Sequence, residues 1–300
     1  MNLPSSKFRF PVALVTLGLM FGGACLAGPF PALKAHTFRK SASLPGLSTE
    51  HYEGREMLVF APPALPAPGQ RALVVVLHGG LGNASRIEDR RSETGLNMDE
   101  VADRDGFIVA YLNGTPVARL LGPDMLGWNA GGGCCGVPAH NNVDDVAYIT
   151  DAVHYLESKY GIDPQRVYGI GHSNGAMMTL RMMCDTSLYA AAISISGPLN
   201  FDVSSCPAAR GKRILSIHGA NDLNVPVAGG KGKLSLNRVD YKSEAYSQRV
   251  FSNSGADFKL LIVPHADHFL NHISARLEET EGLSVPEKAA RFFGLDKNSR

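Results

Sequence analysis

The chain has 300 residues, 44% of them hydrophobic, and a formal net charge of +1. That length allows one large domain or two small ones. The near-neutral balance gives no electrostatic case for nucleic acid or an anionic membrane surface as partner.

The N-terminus has the layout of an export signal. Lys7 and Arg9 form a basic start, Phe10 to Gly23 is apolar, and small residues follow, with Ala24 and Ala27 as cleavage points. The apolar run is short for a helix that must cross about 30 Å of hydrocarbon. Residues 1–27 therefore read as a signal peptide, with no stable membrane insertion after its removal, and residues 28–300 as one domain. A lipid anchor on Cys25 is the alternative, although Gly22-Gly23-Ala24 lacks the usual large aliphatic residue. Cleavage after Ala27 removes two bases and no acid, which turns a net of +1 into −1. Export also makes Cys134, Cys135, Cys184 and Cys206 candidates for two disulfides, with three possible pairings. A ring closed by adjacent cysteines is strained, so Cys134 and Cys135 are each expected to bond Cys184 or Cys206. A vicinal bond plus Cys184–Cys206 is the alternative. No C-x-x-C spacing argues for zinc.

Residues 28 to 54 are polar and turn-rich and read as a leader into the domain. Met57 to Phe60 is a predicted strand, closed by the Pro-rich stretch from Pro62 to Pro68. Ala72 to Leu77 is apolar throughout, as in a central parallel strand covered on both faces. A helix is predicted over Met98 to Arg104 with Gly106 beyond its end, then a strand over Phe107 to Tyr111. Asn113 to Asn142 is a long irregular region that contains the chain's one Trp, Trp128. Val146, Ile149, Val153, Leu156 and Tyr160 share one helical face, with Asp144 to cap the start and Gly161 to end it.

Arg166 to Ile170 is a predicted strand, followed by the pentapeptide Gly171-His172-Ser173-Asn174-Gly175 and then by Ala176 to Met183, a run without Gly or Pro. Strands are predicted at Ala190–Ser196, Arg213–His218 and Phe258–Val263, helices near Val239–Phe251 and from Ser284, where Glu287 has capping-box spacing. Alternation over about 240 residues implies a mostly parallel sheet with helices on both faces and no linker to split it.

Ligands of open α/β sheets bind at the carboxyl ends of the strands. Ser173 follows one strand, Asp222 the next but one, and His268 the last, so nucleophile, carboxylate and base come in the order Ser, Asp, His. A serine hydroxyl needs an imidazole to take its proton, and the imidazole needs a carboxylate to fix its tautomer. His265 and His272 are close enough to compete with His268 for the role of base; strand spacing favours His268. His172 and His218 read as structural. A tetrahedral intermediate needs two N–H donors, expected from Asn174 and from Gly80 in His78-Gly79-Gly80; one such donor is worth about 2.7–4 kcal/mol. Asp144 and Asp145 read as helix-capping and loop-bonding carboxylates, and Met177, Met178, Met182 and Met183 as helix packing.

These motifs appear in sequence with Trp128-Asn129-Ala130-Gly131, the Cys-Cys-Gly after it, and His218-Gly219 before Asp222. The set resembles the exported esterase family that includes polyhydroxybutyrate depolymerases and feruloyl esterases, over residues 55 to 270. The resemblance implies an α/β-hydrolase fold, carboxylic-ester hydrolysis through an acyl-enzyme on small or oligomeric esters, and no metal or other cofactor. The family often has Gly-Gly-His-Trp-Pro at its catalytic histidine, where this chain has Ala266-Asp267-His268-Phe269-Leu270. Trp128 is a candidate to line the acyl pocket, or an anchor for the long loop. A serine peptidase on the same fold, and a non-catalytic binding protein on a hydrolase scaffold, are the competing functions.

Overall fold

The computed structural model describes residues 44–118, 122–235 and 239–297. Lys7, Arg9, the Phe10–Gly23 run, the cleavage point and Cys25 lie outside the described residues.

Eight strands form one sheet: β1 (Leu47–Tyr52), β2 (Arg55–Phe60), β3 (Arg71–Leu77), β4 (Ile108–Leu112), β5 (Ile162–His172), β6 (Ala191–Ile195), β7 (Arg213–Gly219) and β8 (Asp257–Val263). Their spatial order is β1-β2-β4-β3-β5-β6-β7-β8. Pairing is antiparallel for β1 with β2 and β2 with β4, and parallel from β4 through β8. This is the mostly parallel α/β-hydrolase sheet.

Side chains alternate across a strand, so a strand buried on both faces must be apolar at every position. In β3, Leu73, Val75 and Leu77 join the core under α4 (Asp145–Tyr160), α5 (Asn174–Asp185) and α6 (Glu244–Asn253). Ala72, Val74 and Val76 join the opposite core with α1 (Ala84–Glu88), α2 (Asp99–Asp105), α7 (Leu270–Glu281) and α8 (Val285–Phe293). Each fully buried Val or Leu contributes about 1.5–3 kcal/mol relative to exposure.

The helix ends follow local chemistry. Asp144 accepts from the Ala147 N–H, and Gly161 closes α4 in the left-handed region at φ 63°. Ser284 and Glu287 form the reciprocal capping box that starts α8. Several elements depart from expectation. α1 falls in a stretch where no element is expected, and the helix expected from Val239 begins only at Glu244, after the short strand Asp240–Tyr241. β1 occupies part of the supposed leader: its sequence LSTEHY has no apolar period because it is an exposed antiparallel edge. α7 follows Phe269, which gives no side-chain cap; the signals the helix does carry are the apolar spacing of Leu270, Ile273 and Leu277 and the terminal Gly282. The long irregular region holds a two-residue hairpin, Thr115–Pro116 with Leu126–Gly127, and the short helix α3 (Gly136–His140).

The expected disulfide pairing is overturned. The cysteines pair as Cys134–Cys135 and Cys184–Cys206. Cys184 lies in the last turn of α5 and Cys206 caps the 3-10 turn Pro207–Ala209, with their Cα atoms 4.4 Å apart. That proximity matches them with each other and leaves the adjacent pair only itself.

Candidate active site

Ser173 sits at the turn between β5 and α5 with φ 55°, an unusual conformation for a residue with a side chain. Its N–H donates to Ile195 O of β6 at 2.8 Å, and its carbonyl starts α5 by accepting from Met177 N. Gly171 and Gly175 make the bend possible. A Cβ on Gly175 would strike the carbonyls of Leu77 and His78 at the end of β3, and one on Gly171 would strike Gly175 O. The turn is thus pressed against the end of the neighbouring strand.

The loops after β5, β7 and β8 bring Ser173, Asp222 and His268 together. Ser173 Oγ lies 3.0 Å from His268 Nε2, and His268 Nδ1 lies 2.7 Å from Asp222 Oδ2. With the Nδ1–H tautomer, His268 donates to Asp222 and presents a lone pair to the serine hydroxyl. Asp222 Oδ1 accepts from the N–H groups of Asn224 and Val225 at 2.8 Å each. Burial alone would raise the Asp222 pKa, but hydrogen bonds from His218 and His268 reverse the sign and hold it well below the usual carboxylate range. The competing histidines lie elsewhere: His265 is exposed at a turn with φ 62°, and His272 pairs with Asp267 at 2.8 Å.

The two remaining histidines near the site differ sharply. His172 Nε2–H donates to the His268 carbonyl at 2.8 Å, steadying that residue through its backbone. Burial, helped by repulsion from His268, pushes the His172 pKa down to about 3, so the ring is neutral. His218 is fully buried with Nε2 at 3.1 Å from Asp222 Oδ2 and 2.9 Å from Val225 O, while Nδ1 lies 2.7 Å from Glu244 Oε1. Burial opposes its charge, yet the hydrogen bonds to Asp222 and Glu244 outweigh it and raise its pKa to about 10. No sequence signal pointed to Glu244, which reaches His218 from α6, 26 residues further along the chain.

Gly80 and Asn174 line the same cavity as Ser173. A Cβ on Gly80 would lie 3.8 Å from Asn174 Cβ, so the two residues are close neighbours. Asn174 is the first residue of α5, where the N–H has no intrahelical acceptor. Its side chain is committed elsewhere: Oδ1 accepts from Trp128 N at 2.7 Å and Nδ2 donates to Trp128 O at 3.1 Å. Trp128 itself is fully buried, and its indole N–H donates to His78 O at 3.0 Å. Of the two roles expected for Trp128, the geometry favours the loop anchor: the ring is fully buried, is not among the residues lining the cavity, and satisfies its one polar atom inside the protein.

The cavity has a volume of about 470 Å³. Val117, Met177, Val225, Leu234, Tyr241 and Phe269 supply apolar wall, and the Cys134–Cys135 disulfide forms part of it. Arg86 is its one permanently charged lining residue among the described residues, and no carboxylate lines it. Asp145 lies away from it, accepting from Asn129 N and from Arg55, each at 2.7 Å, and so fixing the long loop. Among the described residues no cluster of His, Cys, Asp or Glu could hold a metal ion, and no helix is long and apolar enough to cross a membrane.

The profile of the Prolyl oligopeptidase family matches residues 136–206, the stretch around Ser173. Feruloyl esterase B of Piromyces equi is 29% identical over 183 residues, covering 59% of this chain and 31% of that protein. Poly(3-hydroxybutyrate) depolymerase of Ralstonia pickettii is 31% identical over 137 residues, covering 43% of this chain and 26% of that protein. The matches thus span under a third of either relative. Among solved structures, the acetyl xylan esterase from Aspergillus awamori superposes with a TM-score of 0.56 at 18% identity, over 83% of this chain and 99% of that one. The Bacillus cereus carboxylesterase gives 0.53 at 16% identity, over 81% and 94%.

Proposed function

We propose that this chain, an α/β-hydrolase related in sequence to esterases, is an exported serine carboxylic-ester hydrolase acting through Ser173, His268 and Asp222. The observation that carries this reading is the continuous Ser173–His268–Asp222 hydrogen-bond chain opening onto an apolar cavity.

His268 removes the Ser173 proton as Oγ attacks the ester carbonyl, and Asp222 stabilises the imidazolium that forms. The oxyanion meets the backbone N–H groups of Gly80 and Asn174. His268 then returns the proton to the leaving alcohol, and water repeats the sequence on the acyl-enzyme. Export is supported by the basic-then-apolar N-terminus and by two disulfides, which persist in oxidising compartments.

Arg86, the one permanently charged residue among the described lining, favours an uncharged or anionic ester as substrate. A hydroxybutyrate ester, as in the relative named for that polymer, is the first choice. Phe269 and Tyr241 in the wall favour a second, a feruloyl or other aryl ester. Ser173→Ala should lose p-nitrophenyl ester hydrolysis by at least about 10⁴-fold and lose labelling by a fluorophosphonate. Equal rates in both proteins would overturn the proposal, and faster turnover of a matched amide would favour a peptidase. Rates on hydroxybutyrate oligomers, methyl ferulate and short acyl esters rank the substrates.

A further inference from the structure

We propose that His218 and Glu244 are positioning residues of this site: Glu244 keeps His218 as an imidazolium, which grips the same Asp222 oxygen that His268 uses. The proposal rests on the reading of Ser173, His268 and Asp222 as the reacting groups.

Asp222 Oδ2 is shared between two imidazoles, His268 at 2.7 Å and His218 at 3.1 Å. His218 Nε2 must carry a proton, because it also faces the carbonyl of Val225, which can only accept. One further proton therefore lies between His218 Nδ1 and Glu244 Oε1, 2.7 Å apart. Two features of Glu244 favour its ionised form and leave that proton on the ring. Ser216 Oγ donates to Oε2 at 2.9 Å, and Glu244 is the first residue of α6, where the helix dipole stabilises a negative charge. Glu244 and His218 are both fully buried, so the pair is out of reach of screening by solvent.

The titratable groups that face His218 are Asp222 from its own loop and Glu244 from α6. Across Asp222 lie His268, from the loop after β8, and His172, at the end of β5. The adjoining residues of β8, Ile262 and Val263, and of β6, Ile195, carry no charge. His172 is neutral, so the local balance is one imidazolium between two carboxylates. Removing its cation leaves Asp222 free to favour positive charge on the one imidazole that remains. A fixed cation across Asp222 therefore competes with His268 for the same carboxylate oxygen.

Two experiments test this. Wild-type protein labelled with ¹⁵N-histidine should show, at pH about 8, one ring with both nitrogens protonated, and that signal should be absent from Glu244→Gln. In Glu244→Gln the acid limb of the kcat/KM profile for a p-nitrophenyl ester should move up by about one pH unit, with KM above the limb unchanged. Below the limb this reads as a roughly tenfold loss of kcat/KM. Absence of the doubly protonated ring from wild type overturns the proposal, as does a folded Glu244→Gln protein with an unmoved acid limb. If that variant does not fold, the wild-type spectrum decides. The spectrum does not depend on hydrolysis, so failure of the esterase reading would show separately, as equal rates for Ser173→Ala and wild type.

Discussion

Asp145 and Asp222 are both carboxylates with no exposed side-chain surface, and each ties together distant parts of the chain. Asp145 binds the backbone of Asn129 and the guanidinium of Arg55, which also lies 3.9 Å over the Tyr148 ring. Asp222 binds two imidazoles and two backbone N–H groups. Their partners separate their capabilities. A guanidinium holds its proton at any ordinary pH, so the Asp145 pair can lock a loop but cannot pass charge. An imidazole gains and loses its proton near neutrality, so the same carboxylate chemistry at Asp222 becomes responsive. Their titration follows: burial raises the Asp145 pKa despite Asn129 and Arg55, whereas the imidazoles pull that of Asp222 down.

The sharpest way to break this comparison is to neutralise each acid. Asp222→Asn should cut kcat by roughly 10³–10⁴-fold, because His268 loses both its orienting acceptor and the partner of its charge. Asp145→Asn should leave kcat near wild type and instead cost about 1–3 kcal/mol of stability, read from the urea midpoint, since Arg55 and the Asn129 N–H lose acceptor capacity. A folded Asp145→Asn protein with the kinetic defect of Asp222→Asn would erase the distinction.

A smaller effect compares the two disulfides. Opening Cys184–Cys206 with Ser at both positions releases a 22-residue separation and should cost about 3 kcal/mol by the chain-entropy relation. Opening Cys134–Cys135 should cost about 1 kcal/mol by the same relation and show mainly in KM, because that pair lines the cavity. A last effect is in acid. A depressed carboxylate stabilises the fold above its unfolded value of about 3.9 and loses that contribution as pH falls through its folded value. Below pH about 4, Asp222 should therefore lower stability as acid is added. Asp145, with a raised pKa, contributes the opposite slope over the range between its unfolded and folded values. Urea midpoints of wild type and the two Asn variants at several acidic pH values separate the contributions.

Much of this was legible in the chain itself because several local signals coincided. The α4 helix carried an apolar face, an Asp cap and a terminal Gly, and β3 was apolar without a break. Ser173, Asp222 and His268 were readable because each follows a strand, and strand ends converge at one rim of the sheet. What stayed hidden depended on spatial partners. LSTEHY is polar because β1 is an edge, so it looked like a leader. The cysteine pairing was decided by how α5 packs beside the turn at Cys206, which local strain in a two-residue ring could not foretell. Trp128 was undecided until its indole found His78 O. Glu244 is an ordinary-looking acid after a Ser cap, and only the fold carries it to His218.

The crowding at Gly171 and Gly175 has a consequence for anyone who would diversify this cavity in the laboratory. A substitution there displaces the Ser173 turn and the end of β3 together, because each Cβ would enter backbone rather than open space. In a saturation library those two columns should be blank. Val117, Leu234 and Phe269, which line the cavity from other loops, form the part of the wall where selection has room to choose a new substrate.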